Sequence, residues 1–98
     1  MPVASNFYIY ILTNLHNNVL YAGSTTDLKK RIYLHRSRLI PGFSKKYNLC
    51  KLVYFEAFPN LDSALSRERQ LKAGSRAKKI KLIESTGKPW EDMFELIK

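Results

Sequence analysis

Phe7-Tyr8-Ile9-Tyr10-Ile11-Leu12-Thr13-Asn14, Leu15-His16-Asn17-Asn18 and Val19-Leu20-Tyr21-Ala22-Gly23-Ser24 follow one another without a break, and how they are read decides the fold. The first run is dense in aromatic and β-branched residues and reads as a strand. The next four residues supply a turn, and the third run returns as a second strand. Period-two alternation puts Ile9 and Ile11 on one face of the first strand and Tyr8, Tyr10 and Leu12 on the other. With an even-numbered loop, positions whose numbers sum to an odd value share a face. Tyr10 and Tyr21 are therefore expected on one face, directly opposed or diagonal.

Outward from this hairpin, Thr25 or Thr26 can cap a helix, with Asp27 in its first turn favoured by the dipole. Leu28, Ile32 and Leu39 make one stripe of that helix, and Pro41-Gly42 ends it. A basic loop with Lys45-Lys46-Tyr47-Asn48 follows. Lys51–Phe58 then reads as a third strand with the apolar density of a largely buried one. Asn60 caps a helix over Leu61–Ala73, with Gly74 at its C′ position. Ser75 caps another that carries Ala77, Ile80 and Ile83 and ends near Gly87. Trp90, Met93, Phe94 and Ile97 recur at i, i+3, i+4 and i+7 behind Pro89, which predicts a terminal helix packed on the domain or on a partner. The order ββαβαα plus a short C-terminal helix is an α+β layout with antiparallel strands. A single domain over residues 1–98 is expected, with its core at about 7–85 and the last helix at about 89–97.

Seventeen Lys and Arg against eight Asp and Glu give a formal charge of +9. An excess of that size on 98 residues favours a polyanionic partner through counterion release, with a merely solvated basic surface as the plainer reading. Cys50 is the one cysteine, which excludes an internal disulfide and a multi-thiolate metal site within the chain. Met1–Asn6 is too short and uncharged for a signal peptide. No apolar run approaches the roughly 20 residues a membrane helix needs, so no membrane role and a reduced, cytoplasmic setting are expected.

Three polar side chains stand where helical spacing favours apolar ones. Glu68 follows Ala64 by four residues and Leu65 by three and precedes Leu71 by three, so it lies on a stripe that looks buried. A carboxylate there needs an ion pair or a cation. The plain alternative pairs it with Arg67, Arg69 or Lys72 at the stripe's edge. Arg31 and His35, four apart, flank the Leu28–Ile32–Leu39 seam. A guanidinium suits phosphate oxygens, although an ion pair with an acid would also explain it, and His35 could be a satisfied core histidine. Tyr8, Tyr10 and Tyr21 taken singly are ordinary strand residues. The lysines of Lys45-Lys46 and of Arg76-Ala77-Lys78-Lys79 read as phosphate-backbone contacts or as solvated surface.

In order and spacing these residues resemble the GIY-YIG nuclease family. Tyr8-Ile9-Tyr10 stands where the family has Gly-Ile-Tyr, and Tyr21-Ala22-Gly23 where it has Tyr-Ile-Gly. Arg31 comes ten residues after the second tyrosine, His35 follows one turn later, and Glu68 matches the acidic residue of the later helix. The stretches from Gly42 to Asn48, Leu52 to Glu56 and Arg67 to Lys72 are similar to the small stand-alone branch. Residues 7 to 85 carry the likeness. Departures are Tyr8 and Ala22 within the two tripeptides, and Ser24 where excision-repair members have lysine. Ala73-Gly74 stands where relatives often place tryptophan, which loosens the joint between the last two core helices. No counterpart of a late asparagine is found.

The resemblance implies a three-stranded antiparallel sheet flanked by helices and a phosphodiester-cleaving endonuclease, related to DNA repair, recombination or mobile elements. Glu68 would hold one Mg²⁺ or Mn²⁺ ion, Tyr21 or Tyr10 would orient and deprotonate water, and Arg31 would neutralise charge on phosphorus-bound oxygens. His35 would be an auxiliary base or orient a tyrosine. Contacts to nucleic acid, DNA ahead of RNA, are expected from Tyr8, Lys45, Lys46, Tyr47, Lys72, Arg76, Lys78 and Lys79. The alternatives are an idle nucleic-acid-binding module and a nuclease directed by a protein partner docked on the C-terminal helix. If the site is real, the five side chains must converge in one cleft, with Glu68 turned to the tyrosine face. Tyr8 should then lie beside the cleft and the Lys46 loop at its mouth.

Overall fold

The computed structural model describes residues 7–37, 42 and 46–97. Its strands are β1 (Phe7–Thr13), β2 (Leu20–Thr25) and β3 (Lys51–Phe58), and its helices are α1 (Leu28–Arg36), α2 (Leu61–Ala73) and α3 (Arg76–Glu84). A 3-10 turn, Met93–Leu96, follows. The strands form one antiparallel sheet in the order β2-β1-β3. An α+β architecture with a three-stranded antiparallel sheet and, among the described residues, three α-helices is thus present.

Ile9, Tyr10, Ile11 and Leu12 are all buried because β1 is the central strand and both its faces are covered. One face meets Ala22, Val53, Ala64, Leu71 and Ile83, which brings α2 and α3 onto the Ile9 side. The other face meets Leu28, Ile32, Leu49 and Leu52, which brings α1 onto the Tyr10 side. Tyr10 pairs with Gly23 and Leu12 with Tyr21, so the two tyrosines sit diagonally on one face, as the odd-sum rule requires. Asn17 turns the hairpin at φ 59°, a conformation asparagine tolerates. The third strand departs from expectation. β3 is an outer strand, and only Leu52 and Val53 on it are buried.

Helix boundaries follow their caps. Asp27 itself, rather than Thr25 or Thr26, caps α1 by accepting from the Lys30 N–H at 3.1 Å. Thr25 instead orients Asp27, whose N–H donates to the threonine hydroxyl. Leu39 and Pro41, where the sequence ends this helix, lie outside the described residues. Asn60 and Ser75 cap α2 and α3 as expected. Gly74 closes α2 in an extended conformation, not a left-handed one. The helix stops because the chain turns directly into the Ser75 cap. α3 ends at Glu84, short of Gly87, where the Ser85 and Thr86 hydroxyls donate to the carbonyls of Leu82 and Ile83. An open groove of about 590 Å³ lies at the α2–α3 joint, floored by Leu71, Gly74 and Leu82.

The terminal helix is replaced by the single 3-10 turn. Trp90 has φ 68°, which breaks a helix begun at Pro89. Asp92 is committed to tertiary partners: it accepts from the Leu52 and Phe94 N–H groups and pairs with Arg36. The Arg36 guanidinium also lies 4.6 Å from the Phe94 ring centroid. Trp90 packs on the Ile9-side core, whereas Met93, Phe94 and Ile97 pack on the Tyr10 side, so the segment crosses the β3 edge.

Candidate active site

Tyr10 leaves the middle of β1 and lies across Gly23 of β2. A Cβ at position 23 would come within 2.6 Å of the Tyr10 hydroxyl oxygen, so this site needs glycine for the tyrosine to pass. The ring then reaches α1, where a 3.1 Å hydrogen bond joins the Tyr10 hydroxyl to His35 Nε2. Tyr21 completes a triangle, with centroids 6.4 Å from Tyr10 and 5.9 Å from His35, while Tyr10 and His35 are 5.8 Å apart.

The electrostatics of this triangle are those of a buried aromatic pocket beside a cation. Burial holds the Tyr10 hydroxyl far above the ordinary tyrosine range. Tyr21 and Glu68 push it the same way, and Arg31 opposes them. Tyr10 therefore keeps its proton and serves as a hydrogen-bonding group. Burial, followed by the Arg31 charge, lowers His35 to about 4, so the imidazole is neutral at pH 7. Its Nδ1 is buried without a hydrogen-bond partner among the described residues.

Arg31 sits one turn before His35 on α1. It lines a hollow of about 250 Å³ at the end of β2 together with Ser24, Thr25 and Thr26. Ser24 connects this hollow to the carboxylate. Its hydroxyl donates to Glu68 Oε1 at 2.5 Å, and Lys72 Nζ lies 2.8 Å from Glu68 Oε2. Burial would raise the Glu68 carboxyl, but hydrogen bonds from Lys72 and Ser24 and the Lys72 and Arg69 charges outweigh it and hold the group below its usual range. Lys72 Nζ is also 5.8 Å from the Tyr21 ring centroid.

The five predicted residues thus meet at the β2 edge, but not on one face. Tyr10, Tyr21 and His35 lie on the α1 side of the sheet. Glu68 comes from α2 on the other side, and its partner Ser24 faces that side too, opposite Ile9. The expectation of one shared cleft with Glu68 turned to the tyrosine face is therefore not met: Glu68 stands on the Ile9 side of β2, although its charge still bears on the Tyr10 hydroxyl. The two halves are joined around the outer strand by Lys72. The edge-of-stripe ion pair foreseen for Glu68 is its Lys72 contact. His35 is a core histidine with one of its two nitrogens satisfied.

The other predicted contacts are dispersed. Tyr8 borders a separate hollow with Asp27, Leu28, Phe55 and Ile97. Lys46 is exposed, with its ammonium 5.3 Å from the Tyr47 ring centroid, and Lys45 lies outside the described residues. Arg76, Lys78 and Lys79 belong to α3, which packs on β3 at the opposite edge of the sheet from β2, and Lys79 donates to the Gly74 carbonyl at 3.1 Å. Sequence reasoning missed the roles of Gly23 and Ser24. For Lys72 the signal was present, a Glu followed four residues later by Lys on one helix.

Among the described residues, no three His, Cys, Asp or Glu side chains group as a metal cluster. Near Tyr10 and Tyr21, Glu68 offers a carboxylate among the described residues, at the β2 edge. That fits Mg²⁺, which is commonly held by one or two carboxylates plus waters and phosphate oxygens, and Mn²⁺ shares the preference for oxygen ligands. No described helix is long and apolar enough to cross a membrane.

A protein-family model described as the GIY-YIG catalytic domain matches residues 6–81. A UPF0213 protein of Pediococcus pentosaceus is 34% identical over 87 residues, covering 89% of this chain and 90% of that one. A UPF0213 protein of Clostridium perfringens is 40% identical over 78 residues, covering 80% and 83%. The solution NMR structure of a UPF0213 protein from Bacillus halodurans aligns with a TM-score of 0.57 at 34% identity, over 93% of this chain and 96% of that one.

Proposed function

The chain belongs to the GIY-YIG family, among relatives that are small UPF0213 proteins, and from that premise we propose that it is a divalent-metal-dependent endonuclease acting on DNA. Family membership supports nuclease activity as the class and nucleic acid as the partner. The observation that supports the finer reading is the Tyr10–Tyr21–His35 triangle, linked around β2 to Glu68 by the Lys72 ammonium, which lies against both Glu68 and the Tyr21 ring; the shared face expected from the sequence is not what supports it. The reaction is hydrolysis: a water oxygen attacks phosphorus in line, the bond from phosphorus to the leaving oxygen breaks, and that oxygen takes up a proton.

In this reading the Tyr21 hydroxyl orients the attacking water, since the Tyr10 hydroxyl is engaged with His35, and the proton the water gives up passes to solvent. Tyr10 and neutral His35 fix each other, and so fix the wall against which Tyr21 rests. Arg31 neutralises charge growing on the non-bridging oxygens from the hollow it shares with Ser24. A divalent cation on Glu68, Mg²⁺ or Mn²⁺, would supply Lewis-acid charge at the same phosphate. Exposed Lys46 and Tyr47, with Lys45, contribute sequence-independent backbone contacts. A domain of this size buries little duplex, which gives low intrinsic sequence specificity. A DNA repair or recombination role in the cytoplasm is the setting this chemistry suits.

The test is a cleavage panel of single-stranded, duplex and flap DNA and structured RNA, with Mg²⁺, Mn²⁺ or chelator, on wild-type protein and Glu68→Ala. Cleavage of a DNA substrate that needs the metal and vanishes in the variant is expected. Activity that survives both chelator and Glu68→Ala would overturn the assignment. Tight binding with no cutting of any substrate would mark an idle binding module instead.

A further inference from the structure

Lys72 touches both halves of the site. Its ammonium is 2.8 Å from Glu68 Oε2 and 5.8 Å from the Tyr21 ring centroid. The Lys72 side chain is 52% exposed against 17% for Glu68, so the lysine stands on the solvent side of the carboxylate. Oε1 is already occupied by the Ser24 hydroxyl at 2.5 Å. We propose that Lys72 is the built-in counter-ion of this site. It covers the same Glu68 oxygen that a divalent cation would use, and it is displaced toward the Tyr21 ring and the substrate phosphate when that cation binds. The inference rests on the reading of Glu68 as cation ligand.

Three features make the lysine displaceable. A pair four residues apart on one helix whose lysine is half in solvent is weak, because solvent screens the lysine end and both side chains lose rotamer freedom. An ammonium on a four-carbon stem is a point charge without the fork that would lock arginine to a carboxylate. The Tyr21 ring face offers the released ammonium a second resting place within reach of its present one. Two cations crowded on one carboxylate oxygen repel each other, so lysine and metal compete. Once displaced, the ammonium becomes the cation nearest the tyrosine on the solvent side, where a phosphate diester would lie.

Equilibrium binding of Mn²⁺ to the full chain tests this without any turnover, by loss of the electron paramagnetic resonance signal of free aqueous Mn²⁺. Lys72→Met should bind Mn²⁺ about two- to fivefold more tightly than wild type, the range set by a screened surface pair. Lys72→Arg, whose fork can grip the Glu68 carboxylate more firmly, should bind Mn²⁺ more weakly than wild type. Glu68→Gln should abolish the binding. Circular dichroism of each variant keeps misfolding apart from a change of site. If Lys72→Met binds Mn²⁺ no more tightly than wild type while Glu68→Gln fails, the counter-ion role is overturned and the Glu68 reading stands. If neither wild type nor Lys72→Met binds Mn²⁺, or if Glu68→Gln binds it as wild type does, the Glu68 reading falls and this inference falls with it.

Discussion

Arg67 and Glu68 are neighbours on α2, yet their ion pairs are built for opposite purposes. Arg67 faces β3 and grips Glu56 through two nitrogens, Nε at 3.2 Å and Nη2 at 3.1 Å, while Tyr54 donates to the same carboxylate. Both partners are about a quarter exposed. Glu68 faces β2 and meets a single lysine nitrogen that is half in solvent. The forked pair holds the helix to the outer strand, and the single-point pair leaves its carboxylate exchangeable. Burial alone would not separate the two acids, since both are partly covered. Donor geometry does.

The strongest way to break this comparison is to neutralise each acid in turn. Glu68→Gln keeps an acceptor for Ser24 and gives up only a screened pair. Its unfolding free energy should stay within about 1 kcal/mol of wild type, while cleavage falls by a factor on the order of a thousand. Glu56→Gln should do the reverse. It leaves Arg67 poorly paired and costs about 1–3 kcal/mol, with cleavage of the folded protein near wild type. Denaturant unfolding and single-turnover cleavage on both variants decide it. A Glu56→Gln enzyme as dead as Glu68→Gln would erase the distinction.

The next effect separates the two halves of the site by pH. His35 titrates near 6.5 unfolded and at about 4 folded, so the unfolded chain binds more protons between those values. Its contribution is complete above pH 6.5 and is lost as pH falls toward 4, by about 3 kcal/mol at most. Glu68 is also depressed in the folded state, so the stability it adds is present above the usual carboxylate value and is lost only as pH falls below it. His35→Gln should flatten stability between pH 6.5 and 4.5 while leaving the loss at lower pH. A wild-type profile already flat in that upper window would show that burial does not hold His35 neutral.

A smaller effect comes from Gly23, which serves the aromatic half alone. Gly23→Ala would place a methyl 2.6 Å from the Tyr10 hydroxyl, costing about 1–3 kcal/mol as overpacking and shifting the phenol from His35. Mn²⁺ binding on the carboxylate half should be unchanged. Equal losses of metal affinity and stability would mean that the two halves form one rigid unit.

Much of this was readable along the chain because the signals are local. The alternation in Phe7–Thr13, the Asn60 cap of α2 and the Ser75 cap of α3 each depend on residues within a few positions. Tyr10, Tyr21, Arg31, His35 and Glu68 were singled out together by their resemblance in order and spacing to the GIY-YIG family, not by any local signal. The parts that were not legible depend on distant partners. Trp90, Met93, Phe94 and Ile97 have helical spacing, but Asp92 is claimed by Arg36 and by the Leu52 N–H, which no local pattern encodes. Likewise, nothing near Glu68 tells which face of the sheet α2 will cover. That choice splits the site around β2 and gives Lys72 its bridging place.

The smallest expected effect is also the sharpest test of the fork. Arg67→Lys keeps the positive charge opposite Glu56 but can offer one nitrogen where two now donate. It also removes the Arg67 Nη1 contact to Gln70 at 3.0 Å. Part of the lost hydrogen bonding is replaced by water at this partly covered site, so the net cost should be about 1 kcal/mol, read from the midpoint of urea unfolding. Cleavage and Mn²⁺ affinity should not change, because the α2 flank that carries Glu68 is untouched. If donor geometry is what distinguishes the clamp, Arg67→Lys must lie between wild type and Glu56→Gln in stability. A variant as stable as wild type would mean that charge alone fixes this flank, and that a lysine there could have held the helix as well as the arginine does.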